Sequence, residues 1–137
     1  MQSLNRWYAA LALLAALIAA PVRAAEPLFL HLSTDEPHRA AAALTFGLHQ
    51  QQAGHPLTVY LSDRGVLLAT QAPAAAQAPA QQQLAELLRQ GASVLAVPLS
   101  LKHHGVAPQL LLPGVQPSNR ALSSEALFRP GTRTLSW

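Results

Sequence analysis

The chain has 137 residues, half of them apolar, no cysteine and a formal charge of +3. That is enough for one domain with a real core. It excludes thiol catalysis, persulfide carriage on this chain and cysteine-ligated metals. Scarce aromatics beside plentiful Ala, Leu and Gln favour helices packed on a sheet over an aromatic-rich sandwich.

Residues 1–24 read as a secretory signal peptide. Arg6 supplies a basic start, and Trp7 to Ala20 form an apolar run of 14 residues, short for a membrane span. Val22-Arg23-Ala24 places small residues at −3 and −1, so cleavage is expected after Ala24. The alternative is an uncleaved N-terminal anchor. Residues 25–137 are then the mature domain, expected in the periplasm and free of the membrane once processed. Without Arg6 and Arg23 the balance falls from +3 to +1. No cluster of Lys and Arg remains, which argues against a nucleic-acid partner.

"PLFLHLS" (27–33) is predicted as a buried strand. "TDEPHRAAAALTFGLHQQQAGH" predicts a helix capped by Thr34 or Asp35, with Pro37 in its first turn and Gly54 at its end. Ala40, Ala41, Leu44 and Leu48 form its apolar face. "PLTVYLS" (56–62) is the second strand, and "DRGVLLA" turns out of it. "QAPAAAQAPA" (71–80) is low-complexity and reads as a surface loop. "QQQLAELLRQG" is a helix with Leu84, Leu87 and Leu88 on one face and Gly91 beyond its end.

"SVLAVPLSLKHHG" (93–105) is a third strand running into Pro98, Leu99 and Ser100, then a Lys-His-His-Gly turn. "APQLLLPGVQ" holds a short helical turn and a short strand. "SNRALSSEALF" is a final helix with Ser118 as N-cap, and "TRTLSW" is a terminal or edge strand. Strands alternating with helices predict an α/β domain in three layers: a mainly parallel sheet of about five strands with helices on both faces. Ligands of such sheets bind beyond the C-terminal strand ends. The rim there is expected to gather Thr34, Asp35, Asp63, Arg64, Pro98, Ser100, Lys102 and His103.

Bland readings win at most of these positions. Ser100 with His103 or His104 resembles a nucleophile and base, but the G-x-S-x-G elbow is absent and no acid is placed to orient a histidine. Ser100 is better read as the cap of its turn. Neighbours on a helix do not share a face, so His103 and His104 offer one metal ligand at most. Asp35 and Arg39 sit at a helix start, and Asp63 and Arg64 in a turn before Gly65. No Gly-rich phosphate loop exists, so neither cofactor, metal nor catalytic residue is assigned.

The stretches "LFLHLSTDEPHRAAAALTFGLHQQQAGHPLTVYLSDRGVLLA", "LLRQGASVLAVPLSLKHHGV", "LLPGV" and "ALFRPGTRTLSW" resemble the DsrE-like family (DsrE/DsrF-like, with the YchN-like fold). That family includes sulfur-relay subunits and proteins labelled predicted peroxiredoxins. In much of the subgroup the third strand ends in a Cys-Pro-x-Cys-type motif followed by Lys and Gly. The resemblance places Val97-Pro98-Leu99-Ser100, Lys102 and Gly105 there, with Val97 and Ser100 at the positions of lost cysteines. It also implies a homo-oligomer, a trimer or hexamer. The resulting expectation is a pseudoenzyme that binds a partner protein or small ligand at the rim, in a sulfur- or redox-related context. The alternative is an accessory subunit in sulfur transfer or peroxide metabolism that uses another protein's thiol.

Overall fold

The computed structural model describes residues 25–72 and 74–137. The leader and its cleavage site after Ala24 lie outside the described residues. In chain order the elements are β1 (Leu28–Leu32), α1 (Pro37–Gln52), β2 (Leu57–Leu61), a 3-10 segment (Asp63–Ala69), a 3-10 turn (Ala75–Gln77), α2 (Ala78–Arg89), β3 (Ser93–Ala96), α3 (Pro98–His103), a 3-10 turn (Pro108–Leu110), β4 (Val115–Pro117), α4 (Arg120–Phe128) and β5 (Arg133–Ser136). The strands form one sheet in the order β4-β3-β2-β1-β5, and every pair is parallel. An isolated antiparallel bridge joins Thr70 and Leu111.

From β1 to β4 the chain steps across the sheet in one direction, and then jumps back to β5. Right-handed crossovers place α1, α2 and α3 on one face and α4 on the other. Side-chain alternation agrees with this. Leu28, Leu30, Leu32, Leu57, Val59, Leu61, Val94 and Ala96 join one core with Ala40, Ala43 and Leu44 of α1, Ala80, Leu84 and Leu87 of α2, and Leu101 of α3. Phe29 and Leu95 are buried outside that core, and α4 has no buried residue.

The helix ends follow one device. Beyond α1 the Gly54 N–H donates to the Gln51 carbonyl and the His55 N–H to Gln50. Beyond α2 the Gly91 N–H donates to Leu88 and the Ala92 N–H to Leu87. Both are Schellman closures, and φ of +95° and +92° makes glycine the fitting residue.

The starts depart from the expected positions. The cap of α1 is Glu36, whose carboxylate accepts from the His38 and Arg39 N–H groups at 3.0 and 2.8 Å. Thr34 Oγ1 instead accepts from the Glu36 N–H, and the Asp35 carboxylate is drawn away by Arg64. The cap of α4 is Asn119, which accepts from the Leu122 N–H at 2.9 Å. Ser118 is buried, and its N–H extends the β3–β4 ladder to the Ala96 carbonyl. The expected loop at 71–80 is partly helical, because α2 begins at Ala78 with Pro79 in its first turn and Ala80 in the core.

Candidate functional site

The loops after β1, β2 and β3 meet at one end of the sheet, and Gly65 is what lets them meet. The 3-10 segment crosses the end of β1 so closely that a Cβ on Gly65 would lie 2.2 Å from the Leu32 carbonyl oxygen. The Ser62 N–H donates to that same carbonyl at 3.1 Å. Just before the crossing, Asp63 takes φ +43°, a left-handed conformation that Asp adopts more readily than most side chains.

Four side-chain links tie the loops together. Arg64 donates from Nε to Asp35 Oδ1 at 2.7 Å and from a terminal nitrogen to Oδ2 at 2.9 Å, a bidentate pair. Gln77 adds a further donor to Asp35 Oδ2. Ser100 Oγ accepts from the Asp63 N–H at 2.8 Å, and His104 Nε2 lies 3.0 Å from Asp63 Oδ1. The hydrogen-bonded guanidinium of Arg64 holds the Asp35 carboxyl below its ordinary range, against the opposing effect of burial. The carboxylate in turn raises Arg64.

Of the residues expected at the rim, Asp35, Asp63, Arg64 and Ser100 are therefore linked directly, and Thr34 lies in the Asp35 loop. Pro98 is the first residue of α3, exposed, and Lys102 and His103 are exposed on its last turn. Ser100 does not cap its turn. Val97 occupies that position without a side-chain bond, and the Ser100 hydroxyl serves the neighbouring loop. Val97 itself is not a strand residue but follows β3, its N–H bonded to the Leu61 carbonyl. Arg39 is exposed in the first turn of α1.

Sequence reasoning missed three participants. Gln77 lies in a low-complexity run with nothing to mark it, 42 residues from its carboxylate. His31 and Ser62 are bonded at 2.6 Å on the face opposite the main core, with the Tyr60 ring 5.8 Å from the imidazole. Alternation in "FLHLS" puts His31 on the face of Phe29, but only the register His31↔Tyr60 brings Tyr60 and Ser62 beside it.

The exposed part of the rim includes the Arg64 and Asp63 side chains, 57% and 68% exposed, and the outer surface of α3. Leu99 is 76% exposed at the start of α3, beside Lys102 and His103. A groove of about 300 Å3 borders the network, lined by Leu67, Thr70, Gln77, Val106 and Leu110 among others. A larger groove of about 570 Å3 lies away from the rim, between α1 and β5.

The family model described as DsrE/DsrF-like matches residues 28–133. Among solved structures, the chain is similar to the protein of unknown function MTH1491 from Methanobacterium thermoautotrophicum. The likeness covers 82% of this chain and 99% of that one at 16% identity, with a TM-score of 0.67. The ychN protein from E. coli is similar over the same shares at 16% identity, with a TM-score of 0.66. At this identity both likenesses show the fold. A comparison with curated proteins finds no match.

Proposed function

The chain belongs to the DsrE/DsrF-like family, whose members are associated with sulfur relay, and from that premise we propose that it is an exported binding protein with no cysteine chemistry of its own. Its partner is a protein, held at the strand-end rim. The observation that carries this reading is how the rim's polar groups are used. Asp35, Arg64, Asp63 and Ser100 are engaged with one another, so the network is a brace for the loops. Among the groups that face outward, Leu99 is an apolar side chain with no cover, and Lys102 and His103 lie beside it on α3. An exposed apolar anchor beside a lysine fits a protein surface better than a small molecule, which is normally enclosed on most sides.

A serine hydroxyl holds no transferable sulfur, and the valine before Pro98 offers no nucleophile. If Val97 and Ser100 stand where relatives carry cysteines, the loop keeps a docking shape and leaves thiol chemistry to the partner. The second reading, an accessory subunit working on another protein's thiol, differs in what the complex does.

The test is a periplasmic extract of the producing cell passed over the immobilised protein and over Leu99→Asp and Lys102→Glu variants. The captured partner is identified by mass spectrometry and its cysteines assayed for persulfide. A partner lost with either variant supports docking at the rim. Capture unchanged by both substitutions overturns it. Peroxide turnover or persulfide transfer by the isolated protein overturns the absence of chemistry. Persulfide transfer accelerated only in the complex favours the accessory reading.

A further inference from the structure

Two serines end up beside histidines, and they are used differently. Ser100 Oγ accepts from the Asp63 N–H while His104 is bonded to Asp63 Oδ1, so that pair braces a loop. Ser62 Oγ lies 2.6 Å from His31 Nε2, a direct hydroxyl–imidazole contact. Both residues are half-buried, partly screened from water and still open to a small molecule. The pair joins residues 31 positions apart, so no local motif carries it.

The backbone under Ser62 is locked. Its N–H donates to the Leu32 carbonyl at 3.1 Å, and its own carbonyl accepts from the Gly65 N–H at 2.9 Å. Asp63 follows in the left-handed region at φ +43°, and Gly65 passes the Leu32 carbonyl with no room for a Cβ. The serine thus stands at the end of a strand on a tight turn into a helical segment. That is the mechanical arrangement of a nucleophile elbow, assembled from Asp63 and Gly65 instead of the glycines of G-x-S-x-G. His31 projects from β1, which is held by β2 on one side and β5 on the other. The Tyr60 ring lies 5.8 Å from its imidazole.

We propose that Ser62 is a nucleophile and His31 its general base, acting on activated esters of short apolar acids. The neutral imidazole with its proton on Nδ1 leaves Nε2 to accept from the hydroxyl. Ser62 Oγ adds to the acyl carbon, its proton passes to His31 Nε2, and the alcohol departs with that proton. Water then adds to the Ser62 ester and gives its proton to His31, which returns it to Oγ as the acid leaves. All six acidic side chains have other partners: Glu26 holds Arg133, Asp35 holds Arg64, Glu36 caps α1, Asp63 meets His104, Glu86 meets Arg89 and Glu125 meets Arg129. With no carboxylate behind the imidazole, the pair is suited to donors with a good leaving group. The apolar acyl group follows from the surroundings. In the register Leu61↔Ala96, Val97 comes next to Ser62 on the same face, and Tyr60 and Leu95 precede them there. This chemistry needs no protein at α3.

The test treats the full protein, as recovered from the producing cell, with p-nitrophenyl acetate and with an alkyl fluorophosphonate. Mass spectrometry of the digest is expected to find the acetyl and phosphonyl groups on Ser62. Ser62→Ala is expected to abolish the adduct, and His31→Gln to slow its formation roughly 100-fold. The rate is expected to fall in acid, where a protonated imidazole cannot take the hydroxyl proton. The absence of cysteine permits a second readout. Ser62→Cys is expected to react with iodoacetamide at pH 7 faster than Ser124→Cys, placed on the exposed side of α4, and His31→Gln is expected to remove the difference. Melting profiles confirm that each variant folds, and His31→Asn replaces His31→Gln where the latter does not. No adduct on Ser62, an adduct formed equally well without His31, or labelling spread evenly over the serines overturns the proposal.

Discussion

The two faces of this sheet carry the same kind of strand residue and receive unequal cover. One face places Leu30, Leu32, Val59 and Leu61, all 0% exposed, against three helices. The other places Phe29, Leu95, Tyr60 and His31 under a single nine-residue helix with no buried residue. The difference is topological. Three successive crossovers in one direction stack their helices on one side, and the one return crossover supplies a lone helix to the other. The second face compensates with contacts among its own side chains. Phe29 and Tyr60 rings lie 5.3 Å apart, and His31 bonds to Ser62. Stability is therefore concentrated on the first face, and the rim network leans on that side through Gly65 and Leu101.

The sharpest way to break this comparison is one truncation on each face. Leu30→Ala is expected to cost about 2–5 kcal/mol in urea denaturation, through lost burial and the cavity it leaves. Phe29→Ala removes a larger side chain, yet is expected to cost only about 1–3 kcal/mol, because its cover is thin enough to collapse. A larger loss for Phe29→Ala would show that α4 packs as firmly as the other helices. Next in size is Gly65→Ala. Its Cβ would drive the 3-10 segment off the Leu32 carbonyl, at about 1–3 kcal/mol. Hydrogen exchange is expected to rise in the Asp63–Ala69 segment and in the Ser33–Glu36 loop together.

Asn119→Ala sharpens the contrast from the thin side. Losing the cap of α4 is expected to cost about 1 kcal/mol. Faster exchange should be confined to α4, with β1 and β2 unchanged, since local opening follows local packing. The smallest effect is on pH dependence. Asp35 has a folded pKa below its ordinary 3.8. Its pair with Arg64 thus stabilises the fold fully above that value, and the contribution is lost as pH falls through the lower folded pKa. Arg64 is mostly exposed, so the gain is modest. Arg64→Gln is expected to flatten the acid limb of a melting-temperature profile and to leave the profile above pH 5 parallel to the native one. A displacement that grew with pH above 5 would assign the effect to another group.

Much of the architecture was legible because it is local. Buried strands read as short apolar runs, and Gly54 and Gly91 mark helix ends because a left-handed closing residue favours glycine. The caps were misread for the opposite reason. Thr34, Asp35 and Glu36 are all competent to start α1, and Ser118 and Asn119 to start α4. The choice rests on partners elsewhere. Asp35 is claimed by Arg64 and Gln77, and Ser118 by the β3 ladder. Ser100 was misread in the same way: read as the cap of its own turn, its hydroxyl went to Asp63 on another loop.

The alternation of strands and helices, and with it a parallel sheet whose loops gather at one end, is written in the local pattern of residues. Periodicity, turn chemistry and the handedness of crossovers act over a few residues and leave little choice. The absence of cysteine equally determined which chemistry this chain cannot perform. That Asp35 and Arg64 pair with one another, and that α4 stands nearly alone on its face, are visible only in the fold. The rim contacts join groups 29 to 42 residues apart, and a hydrogen-bonding side chain does not record in its own neighbourhood which partner the fold will bring to it.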